Sequence, residues 1–229
     1  MNTVNAIFVK QSKDMFRNIG VLVMFVVFPL VALAMTHLVT MPGPTGDMFA
    51  SQMAAMFIGM ALIMSMSTII AEDRENNSLR FLVIAGVKPM SYMVGIGGVV
   101  FVASIFTSIA FWLIGGSGTG LLPRFMSVML SGAIASILFG AILGLLAKNQ
   151  QAATGLAMPI GMVLGLGPMA AQFNEYVDMV FSVFYTHQVS LIVNNPGGNL
   201  SRPLATIWIN IAVLAIVFAI VYNKKGRRN

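Results

Sequence analysis

Long apolar runs alternate with short polar segments along the whole chain. Six of these runs are long enough to cross a bilayer, which takes roughly 17–25 residues in a helix. None of the six contains Asp, Glu, Lys or Arg, and they lie near residues 19–40, 50–71, 91–114, 125–147, 152–172 and 204–222. The pattern therefore predicts an all-α integral membrane protein with six transmembrane helices, called spans 1 to 6 below.

The polar and mixed segments complete a single domain over residues 1–229. Residues 2–18 mix apolar with basic positions, which predicts a helix lying on the membrane surface, with a solvated tail as the alternative. Residues 19–222 form the six-span bundle, and residues 223–229 form a basic tail. The first run resembles a signal peptide around Ala32-Leu33-Ala34, but its apolar stretch continues past that site, so we interpret it as a retained span.

One segment between spans 5 and 6 is too polar to cross a membrane and too apolar for an ordinary loop. Residues 173–199 interleave Glu175, Asp178 and His187 with apolar and aromatic side chains, and a turn-forming Asn-Asn-Pro-Gly-Gly stretch follows. This mixture predicts a re-entrant or interfacial helical hairpin.

Composition supports the membrane assignment and excludes several kinds of chemistry. The chain is 58% hydrophobic and 9% charged, against about 25% charged residues in soluble domains. It has no cysteine and two histidines, so we expect no disulfide, no metal site and no cofactor in this chain. The net charge of +6 does not indicate nucleic acid, because the basic residues are scattered between spans.

The basic residues are distributed unequally between the two ends of the predicted bundle. All 13 Lys and Arg residues except Arg124 and Arg202 lie at the end that holds both termini. Cytoplasmic loops carry the excess of Lys and Arg. Both termini are therefore expected in the cytoplasm, and we expect the plasma membrane of a bacterium as the location.

No sequence motif supplies an energy source. The chain lacks a G-x-x-x-x-G-K-[ST] phosphate-binding loop. Ion-driven transporters usually carry ionisable residues within the membrane, whereas here only His37 lies in a span, near its outer end. An energy source on another chain is therefore favoured over a stand-alone ion-coupled transporter, which remains the alternative.

One pattern is typical of an enzyme. Gly115-Gly116-Ser117-Gly118 resembles the serine motif of rhomboid intramembrane proteases, and His187 is the only plausible base for Ser117. His187 falls in the predicted hairpin rather than in a span, and no supporting His-Asn pair occurs on span 2. A flexible outer loop is the preferred interpretation, and no catalytic residue is expected.

The segment 71–89, AEDRENNSLRFLVIAGVKP, concentrates charge between two uncharged spans. Its acidic run ends span 2, and Ser78 is a good N-cap for a short helix over 79–85 that stops at Gly86. That helix is apolar all round, so it must bury itself in lipid, in its own protein or in a partner. A docking helix for a partner explains both the charged rim and the sharp stop, with an interfacial linker as the alternative.

The stretch EDRENNSLRFLVIAGVKPMSYMVG resembles the segment after the second span in type-2 ATP-binding cassette (ABC) exporter permeases. That family combines an acidic-basic-acidic cluster, a small or hydroxyl residue with Leu, a second Leu three positions on, and Pro before the third span. The matching residues are Glu72, Glu75, Ser78, Leu79, Leu82 and Pro89. The family often has Gly-Thr where this chain has Asn77-Ser78, which is a mild departure.

The resemblance extends over nearly the whole chain and implies a function. It implies that the short helix docks on a separate ABC ATPase subunit, which carries the ATP and Mg, and that two permease copies or paralogues make one pore. It also implies that spans 2 and 5 line the substrate path at the dimer interface. The residues expected to dock the ATPase subunit are Glu72, Glu75, Ser78, Leu79, Arg80, Leu82 and Pro89.

Methionines repeat at helical spacing on the two spans in question. The candidate substrate-path residues are Met53, Phe57, Met60 and Met64 on span 2, and Met158, Met162 and Met169 on span 5. Methionine is flexible and polarizable, which suits an amphipathic or hydrophobic cargo such as a drug, a peptide or a lipid. The alternative is that these stripes serve packing or face lipid.

The sequence therefore predicts the membrane subunit of an ATP-driven exporter without ATPase activity of its own. An ion-coupled transporter, a membrane protease and a non-transporting membrane partner of an ATPase remain the rivals. The cargo, the choice between homodimer and heterodimer, and the direction of transport stay open.

Overall fold

The computed structural model describes residues 3–39, 46–76, 78, 81, 84, 86, 89–115 and 119–226. All regular elements among these residues are helices. The six apolar helices that are long enough to cross a membrane are Ile19–Leu38, Met48–Glu75, Met90–Gly115, Leu122–Leu146, Gln150–Ala171 and Ser201–Lys224. They confirm the six predicted spans, because each apolar run is long enough to satisfy its backbone hydrogen bonds within one helix.

The full helices extend beyond these apolar windows. Span 2 consists of a helix Gly46–Met56, a π-helical turn Phe57–Ala61 and a helix Leu62–Glu75. Span 3 is the helix Pro89–Gly115, and span 6 is the helix Ser201–Gly226. A single 3₁₀ turn, Thr119–Leu121, leads into span 4.

The N-terminal segment is a helix, Thr3–Arg17. Ile7, Gln11 and Met15 are buried at four-residue intervals, so one face of this helix packs on the bundle. Its Phe8 ring lies against Gly98 of span 3. The helix therefore packs along the same end of the bundle as the cluster Glu72–Glu75, and this end is called the basic end below.

Spans 2 and 4 form the centre of the bundle. In each, 78% of the apolar window is buried, compared with 17% for span 1 and 11% for span 6. Spans 1 and 6 therefore present most of their apolar surface outward, as a helix in contact with lipid does.

Glycines permit span 2 to lie very close to spans 4 and 5. A Cβ atom on Gly140 of span 4 would lie 2.5 Å from the carbonyl oxygen of Ile63, and one on Gly144 would lie 2.6 Å from that of Ser67. Gly161 and Gly165 of span 5 lie against Met60 with slightly more room, since a Cβ on either would lie 3.3 Å from that residue. The G-x-x-x-G pairs of spans 4 and 5 thus face span 2, which agrees with the role of small residues at membrane helix contacts.

Two short helices, Glu175–Phe181 and Tyr185–Asn194, follow span 5 at the end of the bundle opposite the basic end. They are bent by 118° relative to each other and are called the hairpin below. Asn174 caps the first helix by accepting hydrogen bonds from the amides of Tyr176 and Val177. The second helix is buried continuously from Tyr185 to Ser190, although it is rich in polar side chains.

We expect Gly140→Ala to destabilise the bundle, because its methyl group would meet the backbone of span 2. Overpacking of this kind costs about 1–3 kcal/mol. Gly155→Ala is the matched control, since nothing lies within 4 Å of a Cβ at that helical position. The measurement is the fraction of monodisperse protein that remains after heating in mild detergent. Equal stability of the two variants would contradict the close packing of spans 2 and 4.

Candidate functional site

The charged run at the end of span 2 makes contacts with five other helices of the chain. Its members Glu72, Asp73, Arg74 and Glu75 occupy the last turn of the helix Leu62–Glu75, which ends at Asn76. These four side chains are called the charged clasp below. The sequence places them one after another, so their side chains point in different directions around the helix and reach different neighbours.

Glu72 joins the first turns of spans 1 and 5. Its Oε2 atom accepts a hydrogen bond from Asn18 Nδ2 at 3.0 Å and a second from Gln150 Nε2 at 2.7 Å. Asn18 also caps span 1, because its Oδ1 accepts from the amide of Val21. A carboxylate close to two helix N-termini is favoured by their dipoles as well as by these hydrogen bonds.

Glu75 reinforces the contact with span 5. Its Oε2 accepts from the backbone amide of Gln150 at 3.1 Å, while Asn149 caps the same helix through the amide of Ala152. The start of span 5 is therefore fixed by two carboxylates and one cap. Because both carboxylates belong to span 2, the basic ends of these two spans are held together.

Asp73 and Arg74 connect span 2 to the N-terminal helix and to spans 3 and 4. Asp73 is 8% exposed and accepts from Lys10 at 3.2 Å and from the Tyr92 hydroxyl at 3.1 Å. Arg74 donates to the carbonyl oxygens of Leu145 and Ala147, where span 4 ends. A cation at a helix C-terminus is favourable. The clasp thus connects span 2 to the N-terminal helix and to spans 1, 3, 4 and 5.

Two of the predicted docking residues also make contacts within the chain. Glu72 is part-buried and Glu75 is bound to the start of span 5, so both carboxylates serve contacts within the chain. The sequence did not indicate their partners Asn18 and Gln150, nor the partners Lys10 and Tyr92 of Asp73. The sequence did contain one signal for this site. Asn18 and Asn149 stand directly before apolar runs, which is where N-cap residues are expected.

The segment after the clasp exposes large apolar side chains. Ser78, Phe81 and Ile84 have helical backbone geometry, and Phe81 and Ile84 are 69% and 73% exposed. Gly86 has φ of 75°, a left-handed conformation that glycine adopts without strain and that commonly ends a helix. Pro89 begins the helix of span 3. The predicted docking residues Leu79, Arg80 and Leu82 lie outside the described residues.

A π-helical turn interrupts span 2 at Phe57–Ala61. The carbonyl of Ile58 accepts a hydrogen bond from Ser136 of span 4 at 2.6 Å, and Ser136 lies 3.0 Å from the Tyr185 hydroxyl of the hairpin. A π-helical turn leaves carbonyl groups free for outside partners and is frequent at functional sites. The hairpin, span 4 and the middle of span 2 are therefore connected by one chain of hydrogen bonds.

The π-helical turn also separates the candidate substrate-path residues of span 2. Phe57 is fully buried, and its ring contacts those of Phe25, Phe28 and Phe111. Met60 lies against the glycines of span 5 instead. The extra residue in the turn displaces the regular 3.6-residue spacing, so Phe57 faces the core while Met60 faces span 5.

The methionines of span 5 lie on the outside of the bundle. Met158, Met162 and Met169 are 47%, 41% and 40% exposed, whereas Met64 of span 2 is 6% exposed. Met53 and Met60 are partly buried. The seven candidate residues therefore divide into an exposed apolar face on span 5 and a buried or half-buried set on span 2.

The hairpin contains a buried histidine paired with a carboxylate. His187 Nε2 lies 3.0 Å from Asp178 Oδ1, which joins the two arms of the hairpin. Its Nδ1 atom is buried and has no hydrogen-bond partner among the described residues.

Ser117, the proposed nucleophile of the protease alternative, lies outside the described residues. No group of three or more metal-ligating side chains occurs within the described ranges.

The chain matches a known protein family. The family model described as "ABC-2 family transporter protein" matches residues 34–223, well over half of the chain. The matched region begins in span 1 and ends in span 6, and it includes the charged clasp and the hairpin. A search of the curated proteins found no match.

Acidification is expected to loosen the hairpin. Burial lowers the pKa of His187 below its ordinary value of 6.5, and the carboxylate of Asp178 opposes this shift only in part. The unfolded state therefore binds the proton more readily than the folded state. The stability that neutral His187 contributes is complete above pH of about 6.5 and is lost as the pH falls through the lower, folded pKa.

Hydrogen exchange of residues 175–194, corrected for intrinsic rates, measures this effect between pH 7.5 and pH 5. We expect faster exchange at the lower pH, and expect His187→Gln to remove most of the difference. His37→Gln is the matched control, because His37 is exposed and its replacement should leave the difference intact. Identical pH dependence in both variants would assign the effect to another group.

Proposed function

We propose a function that starts from one fact: the chain belongs to the ABC-2 family of transporter proteins. On this basis the chain is a multi-pass transmembrane component of an ABC transporter. We propose further that it is the permease subunit of an exporter, that a separate ABC ATPase subunit binding ATP and Mg drives it, and that a second permease copy or paralogue completes the pore. It has no ATPase activity of its own in this proposal.

One observation supports the partner ATPase most directly. Among the described residues, Phe81 and Ile84 are the large apolar side chains that follow the clasp, and more than two thirds of each residue is exposed. Both have helical backbone geometry, and they lie in sequence between the charged clasp and Gly86. A small apolar patch with a polar rim is typical of a protein interface.

We place the basic end, and with it both termini, in the cytoplasm of a bacterial cell, where an ATPase would meet this patch.

The charged clasp provides contacts through which a movement of the docking segment would reach the spans. A movement of the docking segment acts on the last turn of span 2, which is only a few residues away. Glu72 and Glu75 then carry the movement to the first turns of spans 1 and 5, and Arg74 carries it to the end of span 4. Hydrogen bonds to charged groups are worth about 1.5–3 kcal/mol each, so several of them acting together transmit force without separating.

The substrate class remains an amphipathic or hydrophobic molecule. The exposed methionines of span 5, Met158, Met162 and Met169, provide the apolar face for it. With Met53, Phe57, Met60 and Met64 of span 2 they remain the proposed path. Because Phe57 is buried among aromatic rings, it would contribute only after the bundle rearranges.

The docking proposal is tested by replacing Phe81 and Ile84 together with Asp. We expect at least a tenfold loss of the co-purifying ATPase subunit, because each carboxylate would lose its hydration in the interface. The matched control is Phe81→Leu with Ile84→Val, which keeps the patch apolar. The measurement is quantitative mass spectrometry after purification in mild detergent, with membrane insertion checked in parallel.

Retention of the ATPase by the Asp variant would refute docking through this patch. Purification of the wild-type chain without any ATPase, even after cross-linking, would favour the interfacial linker. Uptake assays in liposomes with an imposed ion gradient would then test the ion-coupled transporter. An ATPase that co-purifies while nothing is transported would favour a non-transporting partner.

The force-transmission proposal is tested by Glu72→Ala. We expect the ATPase to stay bound and to hydrolyse ATP, while transport per ATP falls about tenfold or more, because spans 1 and 5 lose their shared carboxylate. Glu175→Ala is the matched control, since Glu175 is an exposed carboxylate on the hairpin. Transport and ATP hydrolysis are measured on the same reconstituted vesicles. An unchanged ratio in Glu72→Ala would show that the clasp has no part in coupling.

A further inference from the structure

A small polar cavity lies next to the charged clasp, between the basic ends of spans 1, 2 and 5. Its volume is about 230 Å³, enough for several water molecules or a small polar group. It is called the polar notch below. Its lining includes Asn18, Met24, Met64, Ser65, Gln150 and Thr154.

The hydroxyl group of Ser65 gives the polar notch an unused hydrogen-bonding group. Ser65 is 1% exposed, and its Oγ atom has no hydrogen-bond partner among the described residues. The nearby Thr68 hydroxyl, in contrast, is satisfied by the carbonyls of Met64 and Ser65. A buried hydroxyl without a partner is unfavourable and is normally satisfied by protein, water or ligand. Because Ser65 lines the notch, we expect the molecule that occupies the cavity to supply this hydrogen bond.

The lining of the notch selects against a charged occupant. None of its side chains carries a formal charge, and its polar groups are hydroxyls and amides. The nearest carboxylate of the clasp, Glu72, already accepts from Asn18 and Gln150. A charged group would lose its hydration in the notch, which is costly. An anion would also be repelled by Glu72, and a cation would pair with Glu72 only by displacing the Asn18 or Gln150 amide. An uncharged group that bears hydroxyls or an amide would instead exchange hydrogen bonds with the lining.

Apolar side chains line part of the notch and continue from it along one face of span 5. Met24 and Met64 line the cavity itself. Thr154 and Met158 are one helical turn apart on span 5 and therefore share a face, which continues outward to the exposed Met162. An alkyl chain attached to a group in the notch would lie along this face.

We propose that the polar notch binds the uncharged, hydroxyl- or amide-bearing head of an amphipathic substrate, with Ser65 as a specificity-determining residue and the tail on Met158 and Met162. This inference rests on the proposed transport function and names the substrate class for it. Asn18 and Gln150 line the notch and also hold Glu72. Occupation of the notch therefore acts on the same amides through which span 2 holds spans 1 and 5.

The test uses the purified chain in lipid nanodiscs, without ATPase, and a radiolabelled monoacylglycerol with a diazirine in its alkyl chain. The monoacylglycerol has a neutral diol head. We expect photolabelling of peptides that contain Met24, Met64 or Met158. Unlabelled monoacylglycerol should compete for this labelling at least tenfold better than a lysophosphatidic acid or an alkyltrimethylammonium of equal chain length.

Ser65→Ala should lower the labelling about fivefold to tenfold, as expected for the loss of one hydrogen bond in a buried site. Ser67→Ala is the matched control. Ser67 is also buried with an unpartnered hydroxyl on span 2, but it is not among the residues that line the notch. Both variants should keep the thermal stability of the wild type, because each removes an unsatisfied polar group.

Three results would overturn the inference. The first is equal competition by neutral and charged heads, and the second is equal labelling of Ser65→Ala and Ser67→Ala. The third is the absence of label on notch peptides, which would show that water alone satisfies Ser65. Because the assay contains no ATPase, each of these leaves the exporter proposal intact. Conversely, specific labelling in a chain that never co-purifies with an ATPase would overturn the exporter proposal and keep the notch.

Discussion

The other contacts of span 2 depend on its close packing against spans 4 and 5. Gly140 and Gly144 bring span 4 to the backbone of span 2, and Gly161 and Gly165 leave room for Met60 against span 5. Lipid offers no hydrophobic driving force for helix association, so packing and interhelical hydrogen bonds must supply it. A methyl group on Gly140 or Gly144 would separate spans 2 and 4 and weaken the polar contacts that span 2 makes at its basic end and in its middle.

Two groups of polar contacts made by span 2 have different consequences. At the basic end, the charged clasp joins span 2 to the first turns of spans 1 and 5 and to the end of span 4. In the middle, the π-helical turn exposes the Ile58 carbonyl to Ser136, which in turn meets Tyr185 of the hairpin. Span 2 is thereby in contact with both ends of the bundle, which is the arrangement that a transmitting helix requires.

The proposed docking segment, the clasp and the polar notch share residues along a short path. Phe81 and Ile84 lie just beyond the clasp in sequence, Glu72 binds Asn18 and Gln150, and these two amides line the notch with Ser65. Binding of an ATPase at one end of this path and of a substrate head at the other would act on the same hydrogen bonds. Reciprocal coupling between the two ligands follows from thermodynamic linkage.

Local hydrophobicity, charge and capping were enough to predict the six spans, their charge asymmetry, the helical N-terminus and the break at Asn76. The same local patterns located the charged run and predicted that Glu72 and Glu75 dock a partner, which stays a prediction. They did not show that these carboxylates also contact Asn18 and Gln150. The predicted stripe through Met53, Phe57, Met60 and Met64 assumed regular helical spacing, which the π-helical turn interrupts at a site without proline. These features required the tertiary structure, because a hydrogen-bond partner 50 or more positions away and an unpaired hydroxyl depend on which helices meet, and no local pattern encodes that.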